Sequence, residues 1–231
     1  MRDVLRAVLL LAGIAVVSTF SVAANAHGVD NATKDFLVSN EGIAIGPFLY
    51  IGAKHMVTGY DHLLFLLAVI FFLYRLKDVV VYVSFFTLGH SITLLSGVLG
   101  HISVNPHLID AIIGLSVVYK GFDNLGGFRR VFGFQPNTKA AVLIFGLFHG
   151  FGLATKLQEF ALPKDGLLPN LIAFNVGVEL GQVFALIFVL IAIVVWRRYE
   201  SFLRFSTVTN TLIMSAGMVL IGYQLTGYFT A

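Results

Sequence analysis

The chain has 231 residues, of which 58% are hydrophobic and only 12% charged, and its formal net charge is +3. Soluble domains carry about 25% charged residues, so half that share cannot clothe a water-facing surface, and neither a soluble globular enzyme nor a disordered chain fits. The cysteine count of 0 removes disulfides, thiolate metal sites, iron–sulfur clusters and cysteine nucleophiles, and the small, scattered positive charge gives no reason to expect nucleic acid as a partner. The composition predicts an all-α, polytopic membrane helix bundle with the lipid bilayer as its surroundings.

Residues 1–26 read as a secretory signal peptide. Arg2 and Arg6 form a basic start, Ala7 to Phe20 an apolar stretch, and Ala24-Asn25-Ala26 a small-x-small cleavage signal. Cleavage there would leave His27 as the mature N-terminus, where an imidazole and an α-amine can meet one metal ion, so His27 is a secondary candidate ligand. Residues 27–56 then form a segment outside the membrane. Within it Ile43 to Ile51 is apolar but interrupted by Gly46 and Pro47, too short to span, and is read as a re-entrant or interfacial piece.

Residues 57–231 form the transmembrane domain, with about six spans expected near 57–74, 79–98, 107–122, 139–156, 169–196 and 206–228. Each is near the ~20 residues that cross the hydrocarbon. With the mature N-terminus outside, the inner loops receive Arg75, Lys77, Lys120, Arg129, Arg130, Lys139, Arg197, Arg198 and Arg204, while Lys34, Lys54, Lys156 and Lys164 fall outside. That asymmetry follows the positive-inside rule, and it agrees with an exported N-terminus. The predicted location is the bacterial cytoplasmic membrane, with both mature termini outside. Lys54 and Lys156 read as interfacial anchors, and His101 and His107 as loop histidines.

Polar residues inside the apolar runs carry the functional signal, because burying an ionisable group at the centre of a span costs at least ~2.5 kcal/mol. The first span opens with His55-Met56-Val57-Thr58-Gly59-Tyr60-Asp61-His62. On a continuous helix His55 and His62 share a face but stand ~10 Å apart along the axis. A break at Gly59 would bring them together; otherwise they serve successive sites. Asp61 can orient a ligand imidazole. In the second span Thr87, His90 and Ser91 share a face, in the fourth His149 lies between Phe148 and Gly150, and in the fifth Asn175, Glu179 and Gln182 form one polar stripe. Asp110 enters the third span. Counting 1.5 Å per residue puts His90, His149 and Glu179 at roughly 15 Å depth, near the midplane. These donors are nitrogen and oxygen only, which suits Ni²⁺, Co²⁺ or Zn²⁺ better than Cu⁺. The expected metal residues are therefore His55, Asp61, His62, His90, His149, Asn175 and Glu179, with His27, Thr87, Ser91, Asp110 and Gln182 secondary.

Four ordered motifs add a resemblance. His55-x5-Asp61-His62, Phe86-Thr87-Leu88-Gly89-His90-Ser91, Phe145-Gly146-Leu147-Phe148-His149-Gly150 and Phe174-Asn175-Val176-Gly177-Val178-Glu179-Leu180-Gly181-Gln182 resemble the HupE/UreJ family of bacterial hydrogenase and urease accessory membrane proteins. The resemblance covers nearly the whole mature chain and implies a secondary permease for nickel or cobalt. It is also similar in style to the broader nickel/cobalt transporters, whose first motif has four residues between His and Asp where this chain has five.

The resemblance makes transport of a divalent transition metal ion the leading function, with the ion as substrate or ligand and no organic cofactor. The alternatives are an intramembrane zinc hydrolase, with His62, His90 and His149 as ligands and Asp61 or Glu179 as base, and a metal-binding accessory protein that neither transports nor turns over. No Walker A pattern is present in the chain. A homo-oligomer is compatible with the sequence.

Overall fold

A computed structural model of the chain describes residues 42–158 and 165–230. The expected signal peptide and His27 lie outside the described residues. Among the described residues every regular element is helical: α1 (Ile45–Thr58), α2 (Tyr60–Ile70), α3 (Leu76–Leu99), α4 (Pro106–Asn124), the short α5 (Gly127–Phe132), α6 (Thr138–Gln158), α7 (Leu167–Trp196) and α8 (Ser201–Thr230). The chain forms the helical membrane bundle that its composition dictates.

Four helices, α3, α6, α7 and α8, are long and apolar enough to cross a membrane. The other two expected spans are less regular. α4 has 19 residues and carries Asp110, Lys120 and Asp123 along its length. The first span differs in its limits: the helix begins at Ile45, not at 57, and it is broken at Gly59 into α1 and α2. Pro47 does not interrupt α1 because it lies in the first turn, where a backbone N–H has no intrahelical acceptor. The N–H of Ala44 is met instead by Asn170 Oδ1 at 2.8 Å, while Asn170 Nδ2 donates to the Gly42 carbonyl at 2.9 Å. This buried asparagine ties the start of α1 to the start of α7.

Three long helix pairs enclose α2. α1 runs parallel to α7, α3 parallel to α6, and α4 antiparallel to α8, as their close-contact registers show. Small residues set the spacing. A Cβ on Gly52 would lie 2.1 Å from the Phe174 carbonyl oxygen, and one on Gly177 2.0 Å from that of Leu49. Between α3 and α6 a Cβ on Gly89 would lie 2.4 Å from the Leu143 oxygen, and one on Gly150 2.2 Å from that of His90. Such approach is how helices associate where lipid removes the hydrophobic drive between them. Thr93 Oγ1 adds a hydrogen bond across this seam, to the Leu147 carbonyl at 2.7 Å.

α2 is the central element, with Asp61, His62, Phe65, Leu66, Ala68, Val69 and Ile70 all buried. Its C-terminal carbonyls are held from two sides. Arg197, just past α7, donates from Nη1 to Leu73 at 2.8 Å and from Nη2 to Ile70 at 2.8 Å and to Phe71. Asn124 Nδ2 donates to Ala68 at 2.8 Å and to Asn210 Oδ1 at 2.8 Å. Lys120, buried at the same end of α4, donates to Asp123 at 2.6 Å and Asn124 at 2.8 Å.

Candidate metal centre

Gly59 is at once the last cap of α1 and the first of α2. Its ψ of 95° is extended rather than helical, so the axis breaks there. The N–H of Gly59 closes the last turn onto the His55 carbonyl at 2.9 Å. The break folds the seven-residue separation back on itself, and the His55 and His62 rings stand with centroids 5.2 Å apart. Of the two arrangements open to the sequence, the structure takes the one in which these imidazoles meet.

His62 lies at the centre of four imidazoles. Its ring centroid is 4.9 Å from that of His149, 5.2 Å from that of His55 and 6.4 Å from that of His90. His62, His90 and His149 are each no more than 3% exposed. α3 and α6 contribute His90 and His149 from the glycine-lined seam. Phe86 stands beside both rings, Phe65 beside His149 and Phe174 beside His55, so aromatic walls exclude water from the cluster.

Hydrogen bonds fix two tautomers. His149 Nδ1 is 2.7 Å from the Phe145 carbonyl. A carbonyl can only accept, so Nδ1 carries the proton and Nε2 is left with a bare lone pair. His62 Nδ1 donates to Asp61 Oδ1 at 2.9 Å, and the same oxygen accepts the His62 backbone N–H at 2.9 Å. Here too Nε2 holds the lone pair. The Nε2 atoms of His55, His62, His90 and His149, and Nδ1 of His90, are buried without a hydrogen-bond partner. A buried polar atom left unpaired is costly, and imidazole nitrogens without a proton are the atoms that bind transition metals. As the side chains stand, no group of three or more His, Asp or Glu among the described residues is gathered to hold an ion.

The remaining expected residues fall into two other places. Asp110 is buried and accepts from Lys156 Nζ at 3.1 and 3.4 Å and from Gln224 Nε2 at 3.3 Å. Lys156, expected as an interfacial anchor, thus has an ion-pair partner in Asp110 of α4. His107 Nδ1 donates to Gln224 Oε1 at 2.9 Å, which ties it to the same network; His107 stands in the first turn of α4, not in a loop as expected, because Asn105 caps the helix just before it. Gln224 was not singled out by the sequence; the polar position in α8 facing Asp110 on α4 was the available signal. Lys156 also bears on the centre, because it follows His149 by seven residues on α6, about two turns along the same face.

Thr87, Ser91, Asn175, Glu179 and Gln182 form the third group, at the contact of α3 with α7. Thr87 Oγ1 donates to Gln182 Oε1 at 2.9 Å and Ser91 Oγ to Asn175 Oδ1 at 3.3 Å. These bonds bracket Glu179, so its carboxylate is level with His90, as the depth count expects. Its direction differs. Glu179 is exposed and lines a groove between α3 and α7, whereas His90 turns inward. A residue count along the axis yields depth but not azimuth.

The chain belongs to the HupE/UreJ family: the family model described as HupE / UreJ protein matches residues 31–231. No curated protein and no solved structure matches it.

Proposed function

We propose that this member of the HupE/UreJ family is a membrane permease for a divalent transition metal ion, nickel or cobalt first, with the four clustered imidazoles as its transit site. One observation carries the reading: four histidines on four separate helices present buried, unpartnered Nε2 atoms around the break at Gly59. Neutral imidazole nitrogen suits Ni²⁺, Co²⁺ and Zn²⁺. Asp61 holds His62 in the metal-binding tautomer, and the Phe145 carbonyl does the same for His149.

The imidazoles are near one another without being drawn to one point. Coordination at about 2.0–2.1 Å from each nitrogen requires their rings to turn inward. A site assembled by the ion and relaxed when it leaves meets the requirement that cargo be released as well as bound. Asn175, tied to Ser91 beside His90, supports the wall of the centre. The bilayer is the bacterial cytoplasmic membrane with both termini outside, as the distribution of basic residues supports.

Metal uptake into proteoliposomes tests the proposal, with Ni²⁺, Co²⁺, Zn²⁺ and Cu²⁺ compared for the wild type and His90→Ala. Uptake above empty vesicles that falls in the variant is the expected result. Uptake equal to empty vesicles for every ion would sink the permease reading. The absence of cysteine lets single introduced cysteines report the orientation by labelling from either side.

A further inference from the structure

The groove between α3 and α7 has a volume of about 570 Å³ and an apolar lining broken by Ser84, Thr87 and Ser91 on α3 and Glu179 and Gln182 on α7. α7 has a mean hydropathy of 2.7 over its most apolar stretch, and a carboxylate at mid-span in such a helix persists where something neutralises it. The imidazoles are not among the residues that line the groove.

The hydrogen bonds decide what the groove can hold. A hydroxyl has one proton to donate and two lone pairs to accept with. Thr87 and Ser91 each commit that proton to an amide oxygen of α7. Their own oxygens are therefore left as acceptors in the groove that Glu179 also lines. Gln182 is 1% exposed, lines the groove and has an Nε2 without a partner. Lying three residues after Glu179, it is one turn further along the same helix face.

We propose that Glu179, Ser91 and Thr87 form a second cation site, separate from the imidazoles, for a small hard monovalent cation: a sodium ion or a proton. The donors are oxygen alone, which favours a hard ion over a transition metal. One carboxylate balances one positive charge, and a divalent ion would leave net charge in an apolar groove. The site goes beyond the permease reading and does not depend on it; where transport holds, it supplies the ion whose gradient drives the metal.

Other charges do not share the lining. The ionisable side chains on helices that contact α7 are Tyr50, Lys54 and His55 on α1, Tyr60, Asp61 and His62 on α2, and Lys77, Asp78, Tyr82 and His90 on α3, and none of them lines the groove.

Carbodiimide labelling of the full chain in detergent tests the site without any flux. N,N′-dicyclohexylcarbodiimide attacks protonated carboxyl groups in apolar surroundings, and mass spectrometry locates the adduct. An adduct on Glu179 is expected in the wild type and none at that position in Glu179→Gln. Replacing choline by sodium at fixed pH slows labelling roughly tenfold at about ten times the dissociation constant, and Ser91→Ala, alone or with Thr87→Val, removes that protection. If the occupant is a proton, sodium has no effect and Ser91→Ala shifts the pH midpoint of labelling. No adduct on Glu179, or responses to sodium and pH that are identical in the wild type and both oxygen variants, would overturn the proposal. Ni²⁺ uptake assayed in parallel separates this outcome from failure of the permease reading.

Discussion

His62 and His149 stand with ring centroids 4.9 Å apart, and each has its Nδ1 proton held by a fixed acceptor, Asp61 for one and the Phe145 carbonyl for the other. The two acceptors differ in kind. The carbonyl belongs to the helix that carries His149 and is four residues away, so it follows from the helix itself. Asp61 is a side chain and can be removed. Asp61→Ala is expected to weaken Ni²⁺ binding by about 10–100-fold, the usual cost of losing an outer-shell orienting group. Calorimetric titration in detergent reads the affinity, and an unchanged affinity would show that Asp61 does not hold the tautomer.

Gly59 links the same centre to the backbone. A Cβ there would lie 3.0 Å from His62 Nδ1, 3.1 Å from the His55 carbonyl oxygen and 3.2 Å from Asp61 Oδ1. Alanine also favours a continuous helix, which would carry His55 away from His62. Gly59→Ala should therefore lower metal affinity tenfold or more, at ~1.4 kcal/mol for each factor of ten. A variant with intact affinity would mean that the break at Gly59 is not what brings His55 to the cluster.

Much of this arrangement is legible in the sequence, for reasons that can be named. Helices in lipid read as long apolar runs, so α3, α6, α7 and α8 stand out. Histidines inside such runs are expensive, which singled out His55, His62, His90 and His149 before any geometry. The limits of the first span were not legible. Pro47 and Gly52 suggest an interruption, yet Pro47 falls in a first turn and Gly52 marks the closest contact with α7. The side of α7 that Glu179 faces was not legible either, because every face of that helix is apolar apart from the stripe itself. The partner of Lys156 was not legible for a similar reason: only tertiary packing brings Asp110 beside it.

Gly177 tests whether helix spacing matters to the fold. With the Leu49 carbonyl oxygen 2.0 Å from the place a Cβ would take, two backbones rather than a flexible side chain must separate. Overpacking of a tight seam costs about 1–3 kcal/mol. Gly177→Ala should lower the detergent melting temperature or abolish a monodisperse elution peak, whereas Gly222→Ala, where nothing lies within 4 Å, should not.

Arg197 serves three carbonyls at the end of α2 through a planar fork. Lysine brings the charge but not the fork. Arg197→Lys should therefore recover only part of the stability lost in Arg197→Ala, each hydrogen bond from a charged donor contributing about 1.5–3 kcal/mol. Equal melting temperatures for the wild type and Arg197→Lys would show that charge alone suffices.

Lys156 brings stability and metal binding into opposition. It is bonded to Asp110 within the bundle, and removing one partner of a buried ion pair costs about 3–5 kcal/mol, while neutralising both costs much less. Lys156→Met should therefore melt lower than the wild type, and Lys156→Met with Asp110→Asn should melt higher than the single variant. The ammonium also follows His149 by seven residues on α6, about 10 Å along the axis, near enough in an apolar interior to repel a cation held by the imidazoles. The single variant should thus bind Ni²⁺ more tightly while being less stable, a combination that general unfolding does not produce. Calorimetric titration and melting curves on the same samples read both quantities. Weaker binding in the single variant would instead make Lys156 a structural support of the centre.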